Sequence, residues 1–541
     1  MSRGVSGLRR TVLYNGRIAT PGGFVRGMAT DGQRIALLGS SEEVLALHAD
    51  ERIDLEGRLV LPGFIDGHMH LLSCALSLER AALGGCRSIA ELRSRLAAFV
   101  DETRPEPGEW VVGRGWNHEL FADGRLPDRE DLDDLLPGNP TLLARACGHV
   151  AVLNTRALTV LGLSADTRFA GGVVDLDRSG APSGVIRESA VDWAWSRLPV
   201  PNPGRIRELL LKAANEAARA GLTSVHSDDL GAAGGDFQML ADLFFSLDRE
   251  GVLPVRVTEQ LLLRDPSALE SFLSTGWRTG DGVPFFHFGP LKILSDGSMG
   301  GRTALLRSEY SDAPGVFGVP IHGRGELNEL VRTAHLAGMQ VAAHAIGDGA
   351  LDMCLDAFEG ALRERPRRAR HYIVHCQTGD NGQYRRMAAL GIGAAVQPPF
   401  VPSDREMAVK RLGEERALSG YAWKTMMDLG IFMSGGSDSP VESFNPLWGV
   451  YAAVTRSDAD GRPEGGWNPS QRLSVQEAVD LYTRGGAYAS FEEHRKGILA
   501  EGMLADAVVL DRDIFTAQQA EIKDARVVLT MSGGRVVHRT A

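Results

Sequence analysis

Pro62-Gly-Phe-Ile-Asp-Gly-His-Met-His70 closes an apolar run with two histidines separated by a single residue. Side chains alternate along a strand, so an extended segment here presents His68 and His70 on one face, with two imidazoles converging on one point. A His-x-His pair alone says little, and its meaning depends on what else reaches the same level of the fold. Beyond it, an apolar β-like run repeatedly follows a helical stretch. The junction is a glycine suited to ending a helix in the left-handed conformation, at Gly221, Gly251, Gly338, Gly391 and Gly430. The eight runs are 60–65, 221–226, 254–260, 286–294, 340–344, 371–375, 393–397 and 431–435. Eight strands with intervening helices predict an α/β fold, a parallel (β/α)8 TIM barrel.

The ends of these runs carry the chemistry. Lys292 lies near the end of the fourth, His344 ends the fifth, His375 ends the sixth and Asp438 follows the eighth. Catalytic groups of this fold gather at the C-terminal ends of strands, so these four join His68 and His70 in one expected site for one or two divalent ions. Imidazole nitrogen suits Zn first, and Mn, Fe or Ni as well. Such an ion lowers the pKa of water toward ~7 and polarises a substrate carbonyl. Asp438 is then placed to take the proton and hand it to the departing amine or alcohol. Lys292 is the odd member, because an ammonium is repelled by a metal cation. Either it is carboxylated by CO2 into an anionic bridge, or it stays an amine and meets substrate beside a single ion.

Short β segments at 11–13, 27–31, 34–38 and 52–61 open the chain, and others at 506–510, 525–531 and 534–538 close it. The two ends, 1–61 and 491–541, are expected to meet in a small β-sandwich flanking a barrel over 62–490. Roughly 150 residues separate the first run from the second, too many for an ordinary connection. The interval 75–215 therefore reads as an insertion, a lid or subdomain over the barrel top. It is helical at 88–103, strand-like at 109–114 and 141–145, and turn-rich over 171–184.

Of 541 residues, 58 are Lys or Arg and 69 Asp or Glu, a net charge of −11 that argues against a nucleic-acid or anionic-membrane partner. The arginine-rich stretch 365–370 reads as a solvated helix face. No apolar run approaches the ~20 residues of a membrane span. The start, with Arg3, Arg9 and Arg10, lacks the features of a secretory signal, so a cytoplasmic location is expected. Cys74, Cys86, Cys147, Cys354 and Cys376 form no CxxC pair and read as small buried hydrophobes. The expected partner is a small-molecule substrate, with a homodimer as the assembly open to the chain.

At these residues the chain resembles the amidohydrolase superfamily of metal-dependent hydrolases, over nearly its whole length. The 62–70 segment looks like that family's first-strand motif, and Lys496-Gly-Ile-Leu-Ala-Glu-Gly-Met-Leu-Ala-Asp506 is similar to its closing β segment. Lys292-Ile-Leu-Ser-Asp-Gly-Ser-Met-Gly-Gly-Arg302, His344-Ala-Ile-Gly-Asp348 and Gly113-Arg-Gly-Trp116 resemble the N-substituted formamide deformylase-like (YtcJ-like) branch. The resemblance implies a barrel with a split β-sandwich. It implies His68 and His70 on a first metal with Asp438, His344 and His375 on a second, and Lys292 as the bridge. It also implies hydrolysis of an amide, typically N-substituted. Two departures bear on substrate contacts: Cys147 precedes Gly148-His149 where the branch often has Asp, and Asn117 follows Trp116 where an acid is common.

Substrate-facing candidates are Trp116, His118, His149, His226, Arg302 and Gln397, with Arg302 either binding a carboxylate or pairing with Asp296 inside its loop. Within the same chemistry a cyclic amide, carbamate or ester would use the same groups. A metal-dependent lyase or isomerase is the second class, and a binding protein on a retired barrel is disfavoured by the intact ligand set.

Overall fold

The apolar stretch before His68 serves two sheets. A computed structural model describes residues 9–540 except 123, 147, 170, 171 and 264. In it Leu59–Pro62 pairs antiparallel with Ala507–Leu510, and the first barrel strand, β1, is Phe64–Met69. The run expected over 60–65 is thus two strands divided at Gly63. Gly63 donates its N–H to the Asp506 carbonyl, and a Cβ there would lie 2.3 Å from the Thr223 side chain. Apolarity marks both strands alike and cannot mark the change of sheet.

The remaining barrel strands are β2 Leu222–Ser227, β3 Arg256–Leu262, β4 Phe286–Leu294, β5 Val341–Ala345, β6 Tyr372–His375, β7 Gly393–Val396 and β8 Met433–Gly435. Each pairs in parallel with the next, in chain order from β1 to β8. Helices such as Phe237–Glu250 and Asn381–Leu390 lie between them and end on glycines in the left-handed region, Gly251 at φ 69° and Gly391 at φ 66°. A side chain at either position would meet the Cβ penalty that glycine avoids.

Among the described residues no ladder joins β8 back to β1, so the ring of strands is nearly closed. Polar contacts complete it. Asp438 N donates to the His68 carbonyl at 2.8 Å, and the buried Asp66 carboxylate accepts from Ser437 Oγ at 2.6 Å and Ser437 N at 3.2 Å. Gly67 permits the approach, because a Cβ there would lie 2.5 Å from Ser434 Oγ.

The chain ends build two further sheets. One has six strands in the order Arg535–Arg539, Val527–Ser532, Ala507–Leu510, Leu59–Pro62, Arg17–Thr20 and Gly23–Val25. The other has four, in the order Arg34–Gly39, Gly27–Asp31, Arg10–Tyr14 and Glu51–Asp54. Leu13, Met28 and Ile53 of the smaller sheet share one core cluster with Ile18, Val60, Val509 and Met531 of the larger. The buried Arg256 at the start of β3 reaches toward this region and pairs with the buried Asp506, Nε to Oδ2 at 3.1 Å.

Two compact units result, one running to Cys74 and resuming at Asn202, the other Ala75–Pro201. The insertion is therefore shorter than 75–215, and helix Pro203–Arg219 belongs with the barrel. The second unit holds helix Ile89–Thr103 and a six-stranded sheet. The interval read as turns over 171–184 contributes strands Gly172–Leu176 and Pro182–Glu188 to it. The arginines at 365–370 follow helix Asp348–Glu364 rather than forming a face of it, and Arg370 pairs with Glu493 at 2.6 Å. Cys74, Cys86, Cys354 and Cys376 are buried and joined in no disulfide, while Cys147 lies outside the described residues. Among the described residues no helix is long and apolar enough to cross a membrane.

Removing one partner of a buried ion pair leaves the other charge uncompensated. Asp506→Ala is expected to cost about 3–5 kcal/mol, read as a lowered urea midpoint. An unchanged midpoint would show that the Arg256 pair contributes nothing to the barrel unit.

Candidate metal centre

Strand β1 delivers His68 from its interior and His70 one residue past its end, and β8 delivers Asp438 through a turn held by the Asp66 contacts. Asp438 adopts φ 57° and His375 φ 73°, both in the left-handed region that non-glycine residues rarely occupy. Such conformations cost of order ~1–3 kcal/mol each and cluster at functional sites. Asp438 Oδ1 lies 3.3 Å from His68 Nε2 and 3.2 Å from His70 Nε2. Lys292 Nζ, from β4, lies 3.1 Å from His68 Nε2.

His375, the last residue of β6, brings its ring to 5.6 Å from His68 and 4.6 Å from His344, centroid to centroid. His344 is turned toward the β4 loop, with Nε2 3.1 Å from the Gly297 carbonyl and 3.3 Å from Asp296 Oδ1. All six expected ligands therefore fall in one region of the barrel unit. His68, His375 and Asp438 each offer a ligand atom, and these atoms lie within 4.8 Å of one another. Two imidazoles and a carboxylate at that spacing fit a divalent ion of the Zn type.

Electrostatics divide the protons unequally. Burial, reinforced by Lys292, lowers His68 to about 3, so it is neutral. Burial also lowers His70, but the bond to Asp438 and the charges of Asp438 and Asp228 override it and raise the group to about 9. Burial pushes the Asp438 carboxyl up, yet its contacts with His68 and His70 hold it well below the usual range. Burial lowers Lys292, against the opposing charges of Asp228 and Asp438.

The substrate-facing candidates are distributed differently. Gln397 is buried, with Oε1 2.8 Å from His375 Nδ1 and Nε2 donating to the Ala395 carbonyl at 3.1 Å, so both ends of its amide are engaged inside the protein. Arg302 pairs with Asp312 at 2.9 Å and not with Asp296, whose carboxylate accepts from the backbone of Leu305, Ile346 and Gly347. His226 is buried in the wall of a cavity of about 160 Å3 shared with His287, Gln340 and Tyr372, near the beginnings of β4, β5 and β6. Trp116, His118 and His149 belong to the second unit and are engaged within it: Trp116 Nε1 donates to the Leu143 carbonyl at 2.9 Å, Arg145 Nε to His118 Nδ1 at 3.3 Å, and His149 pairs with Glu188 at 3.2 Å.

A family model described as "Amidohydrolase family" matches residues 51–538. The chain belongs to the amidohydrolase family. It is similar to YtcJ of Bacillus subtilis (strain 168), named as an amidohydrolase, with 34% identity over 96% of this chain and 98% of that protein. It is similar also to an N-substituted formamide deformylase of Arthrobacter pascens, with 27% identity over 97% of this chain and 98% of that protein. Among solved structures, an uncharacterized metal-dependent hydrolase from Pyrococcus horikoshii OT3 superposes with a TM-score of 0.79 at 30% identity, covering 94% of this chain and 99% of that one. Membership and these neighbours imply a divalent metal in this amidohydrolase.

Gln260 is a site residue of this amidohydrolase that the motifs do not announce. It lies in β3 with Oε1 2.8 Å from His68 Nδ1, and Asp228 backs His70 through its carbonyl, 3.0 Å from Nδ1. Gln260 stands among other polar residues of β3, Arg256, Thr258 and Glu259, so the sequence offers no local signal that marks it out.

If His70 joins His68 and Asp438 in holding an ion, as the family resemblance implies, uptake displaces the proton from His70, held up to about 9. Apparent affinity for Zn is therefore expected to rise about tenfold per pH unit between pH 6 and pH 8, with one proton released per ion, as checked by calorimetry in buffers of different ionisation heat. A pH-independent affinity would contradict this assignment.

Proposed function

We propose that this amidohydrolase hydrolyses the C–N bond of an amide, an N-substituted formamide or N-acyl compound, at the site formed by His68, His70, Lys292, His344, His375 and Asp438. The observation that carries the reading is Asp438 Oδ1 within 3.3 Å of both histidines of the His-x-His pair. The name of the Arthrobacter pascens relative, matched over nearly the whole of both chains, supports the choice of bond.

A divalent ion held by these residues, Zn by the chemistry of the donors, supplies an activated water and polarises the substrate carbonyl. The chain's own groups do the rest. Asp438, held well below the usual carboxyl range, is ionised at neutral pH, so its oxygens are free of a proton when the water must lose one. His70 Nε2, 3.2 Å from Oδ1, orients it, and it returns the proton to the amine nitrogen as the bond breaks. Lys292, whose pKa burial lowers, is more easily freed of its proton than a surface lysine. An amine so placed reacts with CO2 to give a carbamate and a proton, converting a repelled cation into an anionic ligand.

The decisive experiment is a screen of N-formyl, N-acyl and lactam compounds with metal-loaded enzyme in 18O-water. Hydrolysis leaves solvent oxygen in the carboxylate product, and Asp438→Ala is expected to lose about 10^2–10^4-fold in kcat. Full activity in that variant, or product without solvent oxygen, would sink the proposal. For Lys292, protein incubated with 13C-bicarbonate should show a carbamate carbon signal that Lys292→Ala lacks.

A further inference from the structure

Two glutamines stand behind two of the buried imidazoles in the same way. Gln260 Oε1 lies 2.8 Å from His68 Nδ1, and Gln397 Oε1 lies 2.8 Å from His375 Nδ1. The other end of each amide is committed elsewhere. Gln260 Nε2 donates to the Gly67 carbonyl at 3.3 Å and to the Tyr372 hydroxyl at 3.2 Å, and Gln397 Nε2 donates to the Ala395 carbonyl at 3.1 Å. A backbone carbonyl only accepts. Flipping either amide would set oxygen against oxygen at that end, so the backbone determines which atom faces the imidazole.

The consequence passes to the ring. Facing an amide oxygen, Nδ1 must carry the proton, and the lone pair is left on Nε2. In His68 that atom meets Lys292 Nζ at 3.1 Å and Asp438 Oδ1 at 3.3 Å. A nitrogen lone pair beside a carboxylate oxygen is a pair of acceptors with no proton between them. It is stable only against a cation, whether the lysine ammonium or a metal ion. The His70 Nδ1 facing the Asp228 carbonyl obeys the same rule.

We infer that Gln260 and Gln397 are positioning residues that lock His68 and His375 in the Nδ1–H tautomer, so that both rings offer Nε2 to one ion, with Tyr372 holding the Gln260 amide in register. The inference rests on His68 and His375 being ligands, as proposed above. An amide in this place also differs chemically from a carboxylate. It cannot take the ring proton, so it sets the tautomer without adding negative charge behind the ligand.

Co(II) binding reads this directly, through affinity against a competing chelator and through the visible absorption band of the bound ion. Gln260→Leu and Gln397→Leu are each expected to weaken affinity by about 10–100-fold and to alter the band, with the urea midpoint measured alongside. Tyr372→Phe leaves the Gly67 contact in place and is expected to cause a smaller loss. Because Tyr372 acts through Gln260, the double variant Gln260→Leu/Tyr372→Phe should bind no more weakly than Gln260→Leu. His68→Ala separates the two readings. If it binds Co(II) as tightly as the native protein, the ligand assignment fails and this inference with it. If it loses binding while Gln260→Leu and Tyr372→Phe keep native affinity and spectrum, the positioning role alone is overturned. Should Gln260→Leu fail to fold, additive losses or none in Tyr372→Phe and Gln397→Leu decide: none overturns the role, and losses with a changed band uphold it.

Discussion

Where the first and last barrel strands meet, a few polar contacts take the place of a ladder. Asp438 N bonds to the carbonyl of His68, and Asp66 accepts from Ser437 through both backbone and side chain. The bond that closes the ring thus joins the two residues that share the centre. Burial raises Asp66 to about 7, against the bonds it accepts from Ser437 and His68. Its bonds to Ser437 hold the residue next to Asp438, which itself adopts the left-handed conformation. Closure of the ring and the placement of Asp438 beside His68 therefore rest on the same contacts.

The charge pattern around the seam follows from the same crowding. Neutral imidazoles at His68 and His375, a cationic His70 and an ionised Asp438 give a pocket whose donors differ in proton affinity within a few ångströms. Burial lowers His68 and His375, whereas at His70 the bond to Asp438 and the charges of Asp438 and Asp228 outweigh it. The arrangement is bound together by acceptors behind the rings and a carboxylate in front of them, so its geometry does not rely on exposed loops.

Much of this was legible in the residues. The strand expected over 286–294 is found as Phe286–Leu294, where Gly289 and Pro290 inside the stretch disfavour the competing helix. The six candidate ligands stand near the end of such a run or just past it, and the structure brings them to one region of the barrel unit. What was hidden has a common cause: it depends on partners far along the chain. Gln260 meets His68 across 192 residues, and nothing local distinguishes it from a polar strand end. Arg302 finds Asp312 instead of the nearer-seeming Asp296, whose oxygens are taken by backbone N–H groups. Strands Arg17–Thr20 and Gly23–Val25 escaped notice because a short edge hairpin has too few buried positions to show alternation. Gly172–Leu176 and Pro182–Glu188 are obscured by the glycines and aspartates within and between them.

The pairing of Leu59–Pro62 with Ala507–Leu510 has a bearing on how the protein is made. The early strand leaves the ribosome with its neighbour still unsynthesised, and at about 5–20 residues per second the wait is on the order of a minute. Through that interval an apolar edge, joined directly to the segment bearing both histidines of the first motif, has to be kept from other chains. Completion of the sheet that borders the first barrel strand therefore waits for the last part of the chain to be made.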